Sequence, residues 1–218
     1  MNLSIHTLKL LVVAGVVLVK AMSSGQAQAA TETAVLAGGC FWCVEADFAG
    51  VPGVIDVVSG FTGGKLADPT YEDVSGGDTG HYEAVQIRFD PAKVSYATLV
   101  SLLLHSTDVV DAGGQFCDRG DSYRTAIFAA TAGQQTAAEA EIARASAELG
   151  QKVVTRVLAA KRFYPADAYH QDYSLSSEII LTRRGPKSKA NAYKFYRGAC
   201  GRDARVKQLW GSSAQFLH

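Results

Sequence analysis

The residues that could do chemistry gather first at Gly38-Gly39-Cys40-Phe41-Trp42-Cys43-Val44-Glu45. An apolar run over 34–37 leads into two glycines, then two cysteines bracketing two large aromatics. Glycine lets the backbone turn sharply and approach other groups closely. Cys40 would then open a helix, where unpaired backbone N–H groups and the helix dipole favour an anion. A thiol placed there is biased toward thiolate, the attacking form. Phe41 and Trp42 would form an apolar wall beside it, suited to a substrate with little charge. A cysteine among aromatics is as readily a buried structural residue, so the remaining residues must decide.

Several other patterns fail as sites. Cys40 and Cys43 have zinc spacing, but Cys117 and Cys200 supply no second close pair, and no metal site is expected. The stretch 60–65 looks phosphate-binding, yet Ser59 and Leu66 miss the P-loop pattern twice. His81, His105, His170 and His218 show no ligand spacing. Taken singly, Glu83 on an alternating strand is a solvated charge, Tyr71 is loop packing and Asp118 is a turn residue.

The elements that must position these residues alternate along the chain. A strand is expected over 33–37, a helix over 42–49 and a β-branched strand over 54–58. The glycine-rich stretch 60–80, with Phe61 and Tyr71, reads as a long functional loop. Strand resumes over 81–89. Ser95 can cap a helix whose apolar face is Leu99, Leu102 and Leu103. A second Gly- and Asp-rich loop covers 108–121, followed by a strand over 123–130. Thr131 and Gln134 have the form of a capping box that opens an Ala-rich helix closed by Gly150. An edge strand is expected over 153–159. The order β-α-β-β-α-β predicts an α+β, ferredoxin-like core: a mostly antiparallel sheet with helices on one face. Beyond Tyr164-Pro165 the chain turns polar and strand-poor, and this tail is expected to wrap the domain.

The 218 residues are 48% hydrophobic and 19% charged, with 21 basic and 21 acidic side chains. That suits one globular unit with a sizeable core. The balanced charge gives no support to a nucleic-acid partner. The first 29 residues read as a secretory signal peptide: Lys9, an apolar run over 10–19, and an Ala27-Gln28-Ala29 cleavage site. The apolar run is short of the roughly 20 residues that span a membrane. The expectation is a catalytic domain over 30–218, exported to an oxidising compartment such as the periplasm, free of the membrane after cleavage and monomeric. Reducing power must then be delivered to any catalytic dithiol there.

Gly39-Cys40-Phe41-Trp42 with Glu45 resembles the signature of the A-type peptide-methionine sulfoxide reductases. The resemblance continues in order through 60–64, Pro69-Thr70-Tyr71, the run 75–85 that contains Glu83, Asp118-Arg119-Gly120 with 123–127, and 163–173 with Tyr169-His170-Gln171-Asp172-Tyr173. It covers about residues 34–173. It implies reduction of the S epimer of methionine sulfoxide, free or in oxidised proteins and peptides, with no bound cofactor and an external thioredoxin-type dithiol as reductant. The residues suit that chemistry. A sulfoxide needs a nucleophile on sulfur, here Cys40, and an acid on oxygen, here Glu83 in an apolar pocket. Tyr71 and Tyr123 can donate to the oxygen as charge develops, and Phe41 and Trp42 can hold the S-methyl group. By resemblance, Asp118 helps to order the site. The product, a Cys40 sulfenic acid, condenses with a second thiol to a disulfide. Many family members carry glycine after the tryptophan, whereas this chain carries Cys43. Cys43, Cys200 and Cys117 therefore all stand as candidates for the resolving thiol. The alternative function is a thiol–disulfide oxidoreductase using Cys40 and Cys43; a module that binds oxidised methionine without turnover is another.

Overall fold

A computed structural model describes residues 30–218; the leader expected over 1–29 lies outside the described residues. The chain runs β1 (Glu32–Gly38), α1 (Phe41–Ala49), β2 (Val54–Thr62), α2 (Tyr71–Gly76), β3 (Tyr82–Phe89) and α3 (Tyr96–Leu104). Next come the short strands β4 (Gly114–Gln115) and β5 (Asp118–Arg119), then β6 (Thr125–Ala129), α4 (Ala132–Leu149), β7 (Arg156–Ala159) and β8 (Tyr164–Pro165). The hairpin β9 (Ile179–Thr182) and β10 (Gly185–Ser188) precedes α5 (Lys189–Ala199) and α6 (Arg202–Trp210).

The main sheet has the order β7-β6-β1-β3-β2-β8. All its pairings are antiparallel except β6 with β7. The inner four strands, β6-β1-β3-β2, have the ferredoxin-like order, because each helical crossover skips the strand that lies between. Alternation along the strands sorts the side chains. Leu36, Val85, Ile87, Phe89 and Ile127 are buried against Val44, Phe48, Leu99, Leu103 and Ala138 of the helices. Ala37, Tyr82, Ala84 and Phe128 form a smaller cluster on the opposite face, with Phe163 packed onto it.

Four sequence expectations are corrected. The stretch 60–80 is not all loop: β2 continues to Thr62, and Tyr71 opens a helical turn. Thr70 builds a reciprocal capping box with Asp73 there. The strand expected from residue 123 starts at Thr125, with Tyr123 ending a 3-10 turn. At α4, Thr131 accepts from the Gln134 N–H at 3.1 Å, but the Gln134 side chain reaches Ala130 instead of closing the box. The tail wraps the domain yet is not strand-poor, since it makes the β9–β10 hairpin and two helices. It is fastened by the Trp210 indole, which donates to the Thr107 carbonyl at 3.1 Å, and by Val206 and Trp210 in the core.

Candidate active site

The turn from β1 into α1 depends on Gly39, whose φ is +85° and where a Cβ would meet Gln115 at 2.6 Å. Cys40 follows as the N-cap and makes no side-chain cap bond, so Phe41 is the first helical residue. Its N–H, which no helical carbonyl can reach, donates to Glu83 Oε2 at 3.0 Å. Glu83 lies in the same strand row as Val85, Ile87 and Phe89, so its carboxyl sits in an otherwise apolar layer and is 2% exposed. Burial raises its pKa from 4.5 to about 8, with help from Asp118 and Cys43 and against the Phe41 hydrogen bond. At neutral pH Glu83 holds a proton to give.

The two cysteines lie one helical turn apart, with the Cys43 N–H donating to the Cys40 carbonyl at 3.1 Å. Both are free thiols and buried, Cys40 at 6% exposed and Cys43 at 2%. They share a hydrogen bond. That bond, burial and the nearby acidic groups push the Cys40 thiol well above its ordinary value. The same bond, with Arg202 and Arg197 close by, pulls Cys43 down against burial. Within this bonded pair the Cys40 thiol is pushed up and the Cys43 thiol pulled down, so burial and the Cys43 hydrogen bond oppose the thiolate that the helix N-terminus favours at Cys40. The shared hydrogen bond is the largest cause, and Arg202 and Arg197 add to it on the Cys43 side, a contribution the local motif does not show.

Tyr71 and Tyr123 face this pair. The Tyr123 hydroxyl bonds that of Tyr71, and burial above all keeps both phenols protonated. Asp118 accepts from the Tyr196 hydroxyl. Cys40, Glu83, Tyr71, Tyr123 and Asp118, scattered over five segments, are thus brought together in one place. Phe41 and Trp42 make an apolar corner, ring centroids 6.0 Å apart and inclined by 46°. Trp42 is stacked on Tyr173 at 3.9 Å, with His170 at 5.7 Å on a near-parallel plane.

The resolving candidates are divided. Cys43 sits beside Cys40, whereas Cys117 and Cys200 are joined to one another with Cα atoms 5.2 Å apart. Among the described residues no cluster could hold a metal ion.

Several participants escaped the sequence reading. Tyr173, Tyr193 and Tyr196 pack around the two buried thiols. The strap carrying Tyr173 is pinned twice. The Gln171 side chain brackets the Ser59 backbone with two bonds of 2.9 Å, and the Asp172 N–H donates to Glu45 Oε1 at 3.0 Å. Burial lifts the Glu45 carboxyl to about 7. Asp47, fully buried, accepts from Arg197 at 2.8 Å and Arg202 at 3.3 Å. Arg202 also donates to the Ser106 carbonyl at 3.1 Å and lies near the Gly38 carbonyl at 3.5 Å, locking α5 and α6 to the turn that carries Cys40. The spacing of Tyr193, Tyr196 and Cys200, three and seven residues apart on one helix face, was the signal available for α5.

The sequence matches the family model of peptide methionine sulfoxide reductase over residues 32–203. The peptide methionine sulfoxide reductase MsrA 2 of Rhizobium meliloti (strain 1021) is 49% identical over 181 residues, covering 83% of this chain and 84% of that protein. In structure, the methionine sulfoxide reductase A of Corynebacterium diphtheriae superposes with a TM-score of 0.59 at 30% identity, covering 68% of this chain and 75% of that one. Mxr1 of Saccharomyces cerevisiae in reduced form gives 0.63 at 26% identity, covering 66% and 83%. The chain belongs to the peptide methionine sulfoxide reductase family.

Proposed function

We propose that the protein reduces the S epimer of methionine sulfoxide in peptides and proteins, with Cys40 as nucleophile and Glu83 as acid. The observation that carries this reading is Glu83, buried and protonated to about pH 8, held by the Phe41 N–H next to Cys40. The sulfoxide oxygen lies toward Glu83, Tyr71 and Tyr123, and the S-methyl group lies in the Phe41–Trp42 corner. Cys40 attacks the sulfur while its proton passes to Cys43, and Glu83 protonates the oxygen. The hydroxyl then moves from the substrate sulfur to the Cys40 sulfur as the new S–S bond and the original S–O bond break, so methionine leaves and Cys40 becomes a sulfenic acid. Cys43 then attacks that sulfur, hydroxide departs with the Cys43 proton as water, and a Cys40–Cys43 disulfide forms. Positions i and i+3 of one turn are close enough for this without rearrangement.

A thiol–disulfide oxidoreductase using the same two cysteines is less well supported. A protein disulfide would have to reach sulfurs that are 6% and 2% exposed, and Glu83 would have no task. We also infer that the catalytic unit spans 30–218 and works outside the cytoplasm, supported by the leader-like first 29 residues and a disulfide near the surface. A peptide assay with both sulfoxide epimers and dithiothreitol tests the function. Turnover of the S epimer alone is expected, and equal turnover of both, or turnover of the R epimer alone, overturns the assignment.

A further inference from the structure

In this structure the oxidised and reduced cysteines are segregated by depth. Cys40 and Cys43 are buried thiols, whereas the disulfide joins exposed Cys117 to half-buried Cys200. A reductant protein must touch the sulfur it attacks, and the inner pair offers no such access. The two pairs are nonetheless in one structural unit. Tyr193 and Tyr196 of α5 pack on Cys40 and Cys43, and Cys200 follows Tyr196 by one helical turn, about 5.4 Å along the axis. On the other side Cys117 immediately precedes Asp118, which accepts the Tyr196 hydrogen bond inside the site. The helix end that carries Cys200 is bounded by Gly198 and by Gly201, which has a left-handed φ of 66°.

Resting on the reductase reading above, we propose that Cys117 is the terminal thiol of the cycle and that the Cys117–Cys200 disulfide is the one handed to the external reductant. After the Cys40–Cys43 disulfide forms, the Cys200 thiolate attacks the Cys43 sulfur. The Cys43–Cys200 bond forms, the Cys40–Cys43 bond breaks, and Cys40 leaves as a thiolate that takes up a proton. The Cys117 thiolate then attacks Cys200. The Cys117–Cys200 bond forms, the Cys43–Cys200 bond breaks, and Cys43 is released. Two electrons have moved from the outer dithiol to the inner disulfide, and the two protons lost by Cys117 and Cys200 balance those gained at the inner sulfurs. A thioredoxin-type dithiol reduces the outer disulfide and is itself oxidised. The structure corresponds to the state just before that last step. The outer bond also ties α5 to the segment bearing Asp118, so Tyr196 stays over Cys40 until the reductant has acted.

The test uses fully reduced full-length protein, one equivalent of S-epimer sulfoxide peptide, rapid thiol blocking and disulfide mapping by mass spectrometry. Wild type is expected to end with Cys117–Cys200 joined and Cys40 and Cys43 alkylated. In Cys117→Ser, the bond should stop at Cys40–Cys43 or Cys43–Cys200. Turnover supported by thioredoxin, kept reduced by its reductase, should fall by about tenfold or more, while dithiothreitol, small enough to enter the site, sustains a larger share. A structural defect would lower both reductants' rates together and would not change which sulfurs are joined. Cys117 recovered as a free thiol after wild-type turnover, or undiminished thioredoxin-supported turnover in Cys117→Ser, overturns this proposal while leaving the reductase reading intact. Wild-type protein that makes no methionine with dithiothreitol overturns both.

Discussion

Replacing Glu83 by Gln removes one ionisable proton from the centre of the site and keeps its shape, including an oxygen to accept from the Phe41 N–H. The magnitude follows from burial. The Glu83 pKa rises from 4.5 to about 8 in the folded protein, so the folded state keeps its proton in a window where the unfolded chain has lost it. The stability this group contributes is intact below about pH 4.5 and is lost as pH rises toward 8. Linkage over that window gives a loss of about 4 kcal/mol between pH 5 and pH 9. Glu83→Gln has no such loss. Urea unfolding of both proteins, in the same disulfide state at pH 5, 7 and 9, measures it. The difference between the two curves cancels the other titrating groups, Glu45 and Asp118 among them. The variant should gain on wild type as pH rises, and its first-step rate should fall by about 10²–10⁴-fold because an amide cannot give up a proton. Parallel stability curves would show that Glu83 is ionised at neutral pH in the folded protein, and the acid role would fall with that result.

Two further outcomes follow from the supports of the site. Asp47→Asn leaves Arg202 buried without its charge partner and Arg197 with Asp203 alone, and should destabilise the protein by about 3–5 kcal/mol in urea unfolding; a change below about 1 kcal/mol would show that solvent reaches these arginines. Glu45→Ala removes the acceptor of the Asp172 N–H and frees the strap that lays Tyr173 on Trp42. The lost bond costs about 1–3 kcal/mol, and KM for a sulfoxide peptide should rise more than kcat falls; an unchanged KM would remove the strap from substrate binding.

Much of this was legible because it is local. The Gly39-Cys40-Phe41-Trp42 turn, the alternating strand that carries Glu83 and the capped helices are short-range patterns, and the crossover order followed from their sequence. What escaped the sequence depends on long-range pairing. Tyr71 sits on a helical turn because Thr70 and Asp73 cap it, a signal that the surrounding glycines obscured. Arg197 and Arg202, more than 150 residues away in sequence, help to pull the Cys43 thiol down beside the hydrogen bond it shares with Cys40. The strap and its Tyr173 are fixed by Gln171 and Glu45 across 112 and 127 residues. Cys117 stands in the sequence as one of three resolving candidates, and nothing near it indicates that α5 returns to meet it.

In the proposed reaction the Cys40 sulfur is the atom that takes the sulfoxide oxygen. One equivalent of S-epimer peptide, added to Cys43→Ser in the presence of a sulfenic-acid trap such as dimedone, tests it directly. One adduct per chain at Cys40, formed in step with methionine, is the predicted result. Methionine released with Cys40 unmodified, or released equally by Cys40→Ser, would contradict it.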